Sequence, residues 1–323
     1  MQITDTTPQL GLGCWPLSGA FYAEDRPLGY ANADPSESIR ALEAAYGAGI
    51  RLFDTAAVYG AGKGERLVGE ALNGKTDVTI VTKIGLAFDE DTEMLLGEEL
   101  AAGAVLPAID RCLKRLGRDH VDVVLIHPNE APVDQADAMF DEMERAVASG
   151  RIGSFGWSTD FPDNVRATAD RDSFSTVEYA MNVFFDVPSI RRAVDHADCW
   201  GLVRSPLAMG LLSGKTAVSR DDIRAHDEGW NNYYVDGAAN PIYTDQIAAL
   251  RDLLQTGGRS LVQGALGWVM AKGPRCIPLP GARTVAQVTE NAKALEFGPL
   301  PEDIMTQIEA LMDRPPEGPP RSR

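Results

Sequence analysis

The chain is poor in the residues that build metal centres and disulfide frameworks. Its four cysteines, Cys14, Cys112, Cys199 and Cys276, are scattered and form no CxxC pair, and its four histidines, His120, His127, His196 and His226, show neither HxxxH nor HExxH spacing. No metal site is expected, and buried reduced thiols are the default. Basic residues are scarce too: 30 Lys and Arg against 47 Asp and Glu leave a net charge of −17. Such a surface repels a phosphate backbone, so nucleic acid is not an expected partner. No apolar run reaches the ~18 residues of a membrane-spanning helix, which excludes a membrane role of that kind. The opening MQITDTTPQL has neither the basic start nor the apolar stretch of a secretory signal, and a cytoplasmic location is expected. Also missing is a GxGxxG turn after any strand, since Gly11-Leu12-Gly13 has no third glycine in place. That weakens an open dinucleotide-binding sheet.

What the chain does have is 323 residues, 44% of them hydrophobic, and a repeating alternation of short apolar runs with amphipathic stretches. Strands are read at Leu10–Trp15, Ile50–Asp54, Val78–Lys83, Val121–His127, Ile152–Ser158, Thr176–Asn182, Leu202–Leu207 and Cys276–Pro280. Helices are read from Pro35 to Ala48, then at about Glu65–Leu72, Leu100–Leu116, Gln135–Ser149 and Asp163–Ala169, after Pro188, and at Leu261–Met270, Val285–Leu295 and Glu302–Met312. Near-continuous hydrophobic strands suit a parallel sheet covered on both faces, and eight βα units favour a closed (β/α)8 TIM barrel. Residues 2–8 are read as a short N-terminal capping hairpin, residues 210–240 as a long irregular loop, and the closing helices as a C-terminal addition. A single barrel domain over residues 1–313 is expected, with RPPEGPPRSR, residues 314–323, disordered.

In a barrel of this kind the strand C-termini share one rim, where active sites lie. Asp54, Lys83, His127, Ser158 and Asn182 each fall at or near a predicted strand end. Tyr59 follows Asp54 in the next loop, ahead of the glycine-rich turn Gly60–Gly64. A tyrosine of pKa about 10 is a poor acid at neutral pH unless a cation stabilises its anion. Lys83 can be that cation, Asp54 can hold it charged, and His127 can orient a substrate oxygen. Four such groups suit protonation of an oxygen that gains charge when a hydride reaches its carbon. Taken singly, each residue has a plainer reading: a helix cap, a packing aromatic, a snorkelling lysine, a structural histidine. Jointly, in this order across residues 54–127, they point to chemistry.

At these residues the chain resembles the aldo-keto reductases over nearly its whole length. Asp54, Tyr59, Lys83 and His127 match the family's catalytic tetrad in order and context. The resemblance implies an NADP-dependent oxidoreductase acting between an aldehyde or ketone and the corresponding alcohol, sugar or polyol, with Tyr59 as general acid and base. It also implies nicotinamide contacts at Ser158, Thr159 and Glu178. SPLAMGLLSGK, containing Ser205, Leu207, Gly210, Leu211, Ser213 and Lys215, resembles the pyrophosphate loop. PGARTVAQVTEN resembles the adenosine segment, with Gly281, Arg283, Gln287 and Asn291, and Arg283 tilts the expected cofactor towards NADP(H). Trp15, His127 and Trp230 are the implied substrate contacts, with Phe21, Tyr22, Phe88, Asn129, Tyr233 and Tyr234 as further pocket candidates. Three positions depart from the family pattern: Arg204 stands where an aromatic residue is common, Glu178 where glutamine is frequent, and Thr159 where asparagine is common. Arg204 and Glu178 are expected to pair, because either charge buried alone is costly. Two other readings share this barrel: a redox-neutral epimerase or dehydratase that retains NADP, and a cofactor-sensing regulatory subunit. The substrate stays open, and because the family includes monomers and larger assemblies, so does the oligomeric state.

Overall fold

The computed structural model describes residues 3–30, 32–214, 233–235, 238–312 and 314. Strand β1 (Gly11–Gly13) is followed by a hairpin, β2 (Ala20–Ala23) and β3 (Arg26–Gly29). Helix α1 (Pro35–Gly47) leads to β4 (Leu52–Asp54), and α2 (Lys63–Ala71) to β5 (Thr79–Ile84). A second hairpin, β6 (Leu86–Asp89) and β7 (Met94–Glu98), precedes α3 (Ala102–Leu116). Then β8 (Val121–Ile126), α4 (Val133–Ala148), β9 (Ile152–Ser158), α5 (Pro162–Thr168), β10 (Phe174–Ala180), α6 (Pro188–His196) and β11 (Trp200–Arg204) alternate. Beyond the long loop, where β12 (Tyr234–Val235) pairs with β13 (Ala238–Ala239), come α7 (Pro241–Leu254), α8 (Leu261–Met270) and β14 (Cys276–Pro278). Helices α9 (Val285–Ala292), α10 (Ala294–Phe297) and α11 (Glu302–Leu311) close the chain.

Eight of the strands pair in parallel in the order β1-β4-β5-β8-β9-β10-β11-β14. A parallel bridge between Gly13 and Gly281 joins the two ends, with Gly13 N donating to Pro280 O at 3.2 Å. Every residue of β5 and β8 is buried, as expected of strands packed on both faces. Leu52, Val81, Val123, Leu125, Leu202, Ile277 and Leu279 fill the barrel interior as one cluster, and a larger cluster lies between strands and helices. Each fully buried aliphatic side chain contributes about 1.5–3 kcal/mol. At Gly156 the β9 backbone runs so close to β10 that an added Cβ would stand 1.7 Å from Thr176 O.

The eight expected barrel strands are all found, and the helices lie within a few residues of their expected bounds, with two differences. Among the described residues ahead of β1 there is no hairpin. Residues 4–7 form a turn, Thr7 N donating to Thr4 O at 2.8 Å, while Ile3 joins the interior cluster. The hairpins fall elsewhere: β2, β3, β6 and β7 build a four-stranded sheet in the order β3-β2-β7-β6. Helix α7 was not expected; it starts on Asn240, whose side chain accepts from Ile242 N, with Pro241 in the first turn.

Charge pins the second hairpin to the barrel. Arg115 donates to Glu65 at 2.6 Å in full burial and to Glu90 at 3.0 Å, Arg66 also reaches Glu90, and Lys63 meets Glu93 at 2.5 Å. Most of the loop over residues 210–240 and all but Arg314 of the C-terminal tail lie outside the described residues; Arg314 Nε donates to Val183 O at 3.0 Å. Among the described residues, no helix is long and apolar enough to cross a membrane.

Candidate active site

The barrel brings its ionisable strand ends to one point. Lys83 is fully buried on β5, and its ammonium donates to Asp54 Oδ1 at the end of β4 (2.6 Å) and to Thr55 O (3.0 Å). Glu178, on β10, places Oε2 3.0 Å from the same nitrogen. Burial opposes the lysine's charge, but Asp54, Glu178 and the Tyr59 phenol outweigh it, and its pKa lies above the ordinary lysine value. Asp54 is pushed well above the ordinary carboxylate range, by burial first and by the Glu178 charge second, with Lys83 pulling it back. Two carboxylates therefore share one ammonium in a dry setting.

Tyr59 stands over this cluster, with Lys83 Nζ 5.2 Å from its ring centroid. Its loop is held to β5 by Ala57 N donating to Lys83 O at 3.0 Å. It turns sharply at Gly60 (φ +57°), where an added Cβ would lie 1.9 Å from Ser18 O. The His127 ring meets Tyr59 edge-on at 5.7 Å, and the Trp15 ring lies 6.4 Å from it, tilted by 42°.

Above these groups opens a cavity of about 620 Å³, within the range of small-molecule sites. One end is walled by Trp15, Phe21, Leu28, Val58, Leu86 and Leu95 around Tyr59 and His127, and the other reaches Arg283, Gln287 and Asn291. At that far end the buried Asn291 Nδ2 has no hydrogen-bond partner among the described residues, which leaves a donor for a ligand. Between the ends runs a tight loop in which Ser205, Ala208 and Met209 take positive φ values of 55°, 49° and 55°. Non-glycine residues hold such angles where the surroundings impose them, commonly at ligand sites. Here Asn182 Nδ2 ties down Ser205 O at 3.1 Å.

The profile of the Aldo/keto reductase family matches residues 9–313, from just before β1 to the end of the last helix. The chain belongs to the aldo/keto reductase family. An aldo-keto reductase of Bacillus subtilis is 27% identical to it over 296 residues, covering 87% of this chain and 82% of that protein. The structure of a glycerol dehydrogenase from Gluconobacter oxydans is similar in fold, with a TM-score of 0.79 at 24% identity, over 96% of this chain and 93% of that one. So is a Klebsiella pneumoniae aldo/keto reductase, with a TM-score of 0.70 at 21% identity, over 98% and 96% of the two chains.

Within this aldo/keto reductase barrel, Trp15, Asp54, Tyr59, His127, Glu178, Arg204, Ser205, Leu207, Gly210, Ser213, Gly281, Arg283, Gln287 and Asn291 all line the one cavity. Lys83, Ser158, Thr159 and Leu211 are buried behind its wall. The Thr159 hydroxyl donates to Asn129 O at 2.9 Å and accepts from Phe161 N at 3.2 Å, so it braces the loop after β9. Lys215 and Trp230 lie outside the described residues. Of the further pocket candidates, Phe21 and Asn129 line the cavity. Tyr233 instead packs down, its hydroxyl accepting from Asn182 Nδ2 at 2.8 Å and its ring 5.0 Å from that of Tyr243.

The expected Arg204–Glu178 pair is not formed. Arg204 donates to Asp160, while Glu178 pairs with Lys83. Asp160 is the residue that sequence reading missed. It also accepts from Ala180 N at 2.8 Å, and its own N donates to Asn129 Oδ1 at 2.7 Å. Its position two residues past Ser158 was the available signal, but an aspartate before Phe-Pro reads equally well as a loop cap. Leu86 and Leu95 were missed with their hairpin, although short apolar runs, 86–88 and 94–96, on either side of the polar stretch 89–93 were the available signal.

Proposed function

We propose that this aldo/keto reductase interconverts an aldehyde or ketone with its alcohol using NADP(H), with Tyr59 as the general acid and base. The observation that carries the reading is the buried Lys83, bonded to Asp54 at 2.6 Å with its Nζ 5.2 Å from the centroid of the Tyr59 ring, which itself lines the cavity. When bound, NADP(H) supplies or accepts the hydride. Tyr59 gives its proton to the carbonyl oxygen as that oxygen gains charge, and the Lys83 ammonium stabilises the phenolate left behind. Asp54 keeps the ammonium charged and aimed, and His127, edge-on to Tyr59, orients the carbonyl from the other side.

The residues present fit the cofactor. Arg283, Gln287 and the unpartnered amide of Asn291 would hold the adenosine end, Arg283 meeting a 2′-phosphate. The 205–215 loop would grip the pyrophosphate through Ser205, Leu207, Gly210, Leu211, Ser213 and Lys215, with Gly281 beside it. Glu178 and Arg204, backed by Ser158 and Thr159, would flank the nicotinamide. The Klebsiella pneumoniae relative in fold was crystallised with NADP and acetate. The apolar wall around Tyr59 suits a carbonyl with an aromatic or aliphatic body, with Trp15 and Trp230 as contacts. The four cysteines are buried free thiols, which supports a reducing, cytoplasmic setting.

The test is consumption of NADPH, followed by its near-ultraviolet absorbance, with aromatic, aliphatic and sugar carbonyls. An aromatic or aliphatic aldehyde should be the best substrate. Tight NADPH binding with no carbonyl consumed would overturn the reading in favour of a redox-neutral or cofactor-sensing role.

A further inference from the structure

Lys83 offers three N–H bonds, and two go to aligned acceptors, Asp54 Oδ1 at 2.6 Å and Thr55 O at 3.0 Å. The third direction is contested. Glu178 Oε2 lies 3.0 Å from Nζ but receives no aligned hydrogen bond, and the Tyr59 ring centroid is 5.2 Å from the same nitrogen. Of the three oxygens around the ammonium, that of Glu178 is the least fixed. Thr55 O belongs to backbone held by Thr55 N donating to Val81 O at 2.8 Å, and Asp54 makes the shortest bond. Glu178 borders the open cavity, and its other oxygen is held by the Ser158 hydroxyl at 3.4 Å.

Two carboxylates face the one ammonium, and a negative charge on the Glu178 carboxylate, 3.0 Å from Nζ, opposes a phenolate at Tyr59. We propose that Glu178 is a positioning residue that sets the acid strength of Tyr59 by competing with it for the third N–H of Lys83. The inference rests on the reading of Tyr59 as the proton donor. No electrons move in this exchange: Glu178 loosens its hold, the Lys83 N–H turns to the phenol oxygen, and the proton leaving Tyr59 goes to the substrate oxygen. The other titratable or charged groups around the ammonium and phenol are Asp54, Cys14 just after β1 and His127 after β8, and Arg204, paired with Asp160, lines the same cavity. All are unchanged in the variants that test the idea.

The experiment is a pH titration of cofactor-free protein carrying tyrosine labelled with ¹³C at Cζ, with Tyr59→Phe assigning the signal. In Glu178→Gln the Tyr59 titration should fall by about one pH unit or more, a tenfold stronger acid, as expected for loss of a unit charge in a medium of moderate dielectric. The alkaline limb of kcat for carbonyl reduction should move down with it, because reduction needs the protonated phenol. A Glu178 that only grips the cofactor would raise the KM for NADPH and leave the titration in place, and that result overturns the proposal. Should Glu178→Gln fail to fold, Glu178→Asp withdraws the carboxylate by one methylene and should lower the titration by a smaller amount; no change would again overturn it. If no carbonyl is reduced at all, the reading of function fails while the titration still decides the role of Glu178.

Discussion

Replacing Lys83 by Met removes the cation that Asp54 and Glu178 share while keeping a stem of similar length. The loss is therefore one of charge and not of packing. Lys83 is 0% exposed and lies 2.6 and 3.0 Å from the two carboxylates. Breaking a buried ion pair from one side costs about 3–5 kcal/mol, and here two carboxylates are stranded facing each other. They can escape only by taking up protons. Asp54 is already pushed above the ordinary range, by burial and then by Glu178, with Lys83 opposing; without Lys83 it rises further. A carboxyl group whose folded pKa exceeds its unfolded value of about 4 contributes most stability below that value and loses it as pH climbs to the folded pKa. Urea unfolding of Lys83→Met against wild type should therefore show a deficit of at least about 3 kcal/mol near pH 8 and a clearly smaller one near pH 5. Equal deficits at the two pH values would refute the reasoning, since packing defects do not titrate.

Arg115→Met strands the fully buried Glu65 and should cost about 3–5 kcal/mol in urea unfolding. Glu90→Gln, at the half-exposed end of the same network, should cost no more than about 1 kcal/mol. Gly60→Ala puts a methyl group 1.9 Å from Ser18 O and must shift the Tyr59 loop; steady-state assays should show kcat down by about a hundredfold, the cost of ångström-scale misplacement. Arg283→Ala should weaken NADPH about tenfold, followed by tryptophan fluorescence, while NADH binding changes less than about twofold.

The barrel was legible because its strands are short apolar runs whose pairing partners follow from chain order, so βα alternation alone fixes the neighbours. Asp54, Lys83 and His127 were legible for a related reason: a strand end in such a fold can point to only one rim, and Tyr59 sits in the loop that leaves that rim after Asp54. Pairings across that rim were not legible. Sequence reading joined Arg204 to Glu178 because both needed a partner, but register sets Glu178 opposite Ser158 on β9 and leaves Arg204 at the far end of β11, within reach of Asp160. Nor does composition reveal which polar side chains face a cavity. Thr159 and Ser158 adjoin the rim in sequence yet turn into the wall, where the hydroxyl of Thr159 braces the next loop. The hairpin over residues 86–98 escaped because its apolar runs are only three residues long and all its partners are distant in sequence: Leu86, Phe88 and Leu95 pack on the cluster of Phe21, Leu28 and Val58, and Arg115 and Lys63 hold its turn.

The most direct measurement is carbonyl reduction by Tyr59→Phe beside the wild type, with NADPH affinity recorded for both. Loss of the phenol should lower kcat by about 10²–10⁴-fold with NADPH affinity unchanged. Undiminished turnover in Tyr59→Phe would show that the proton comes from another group.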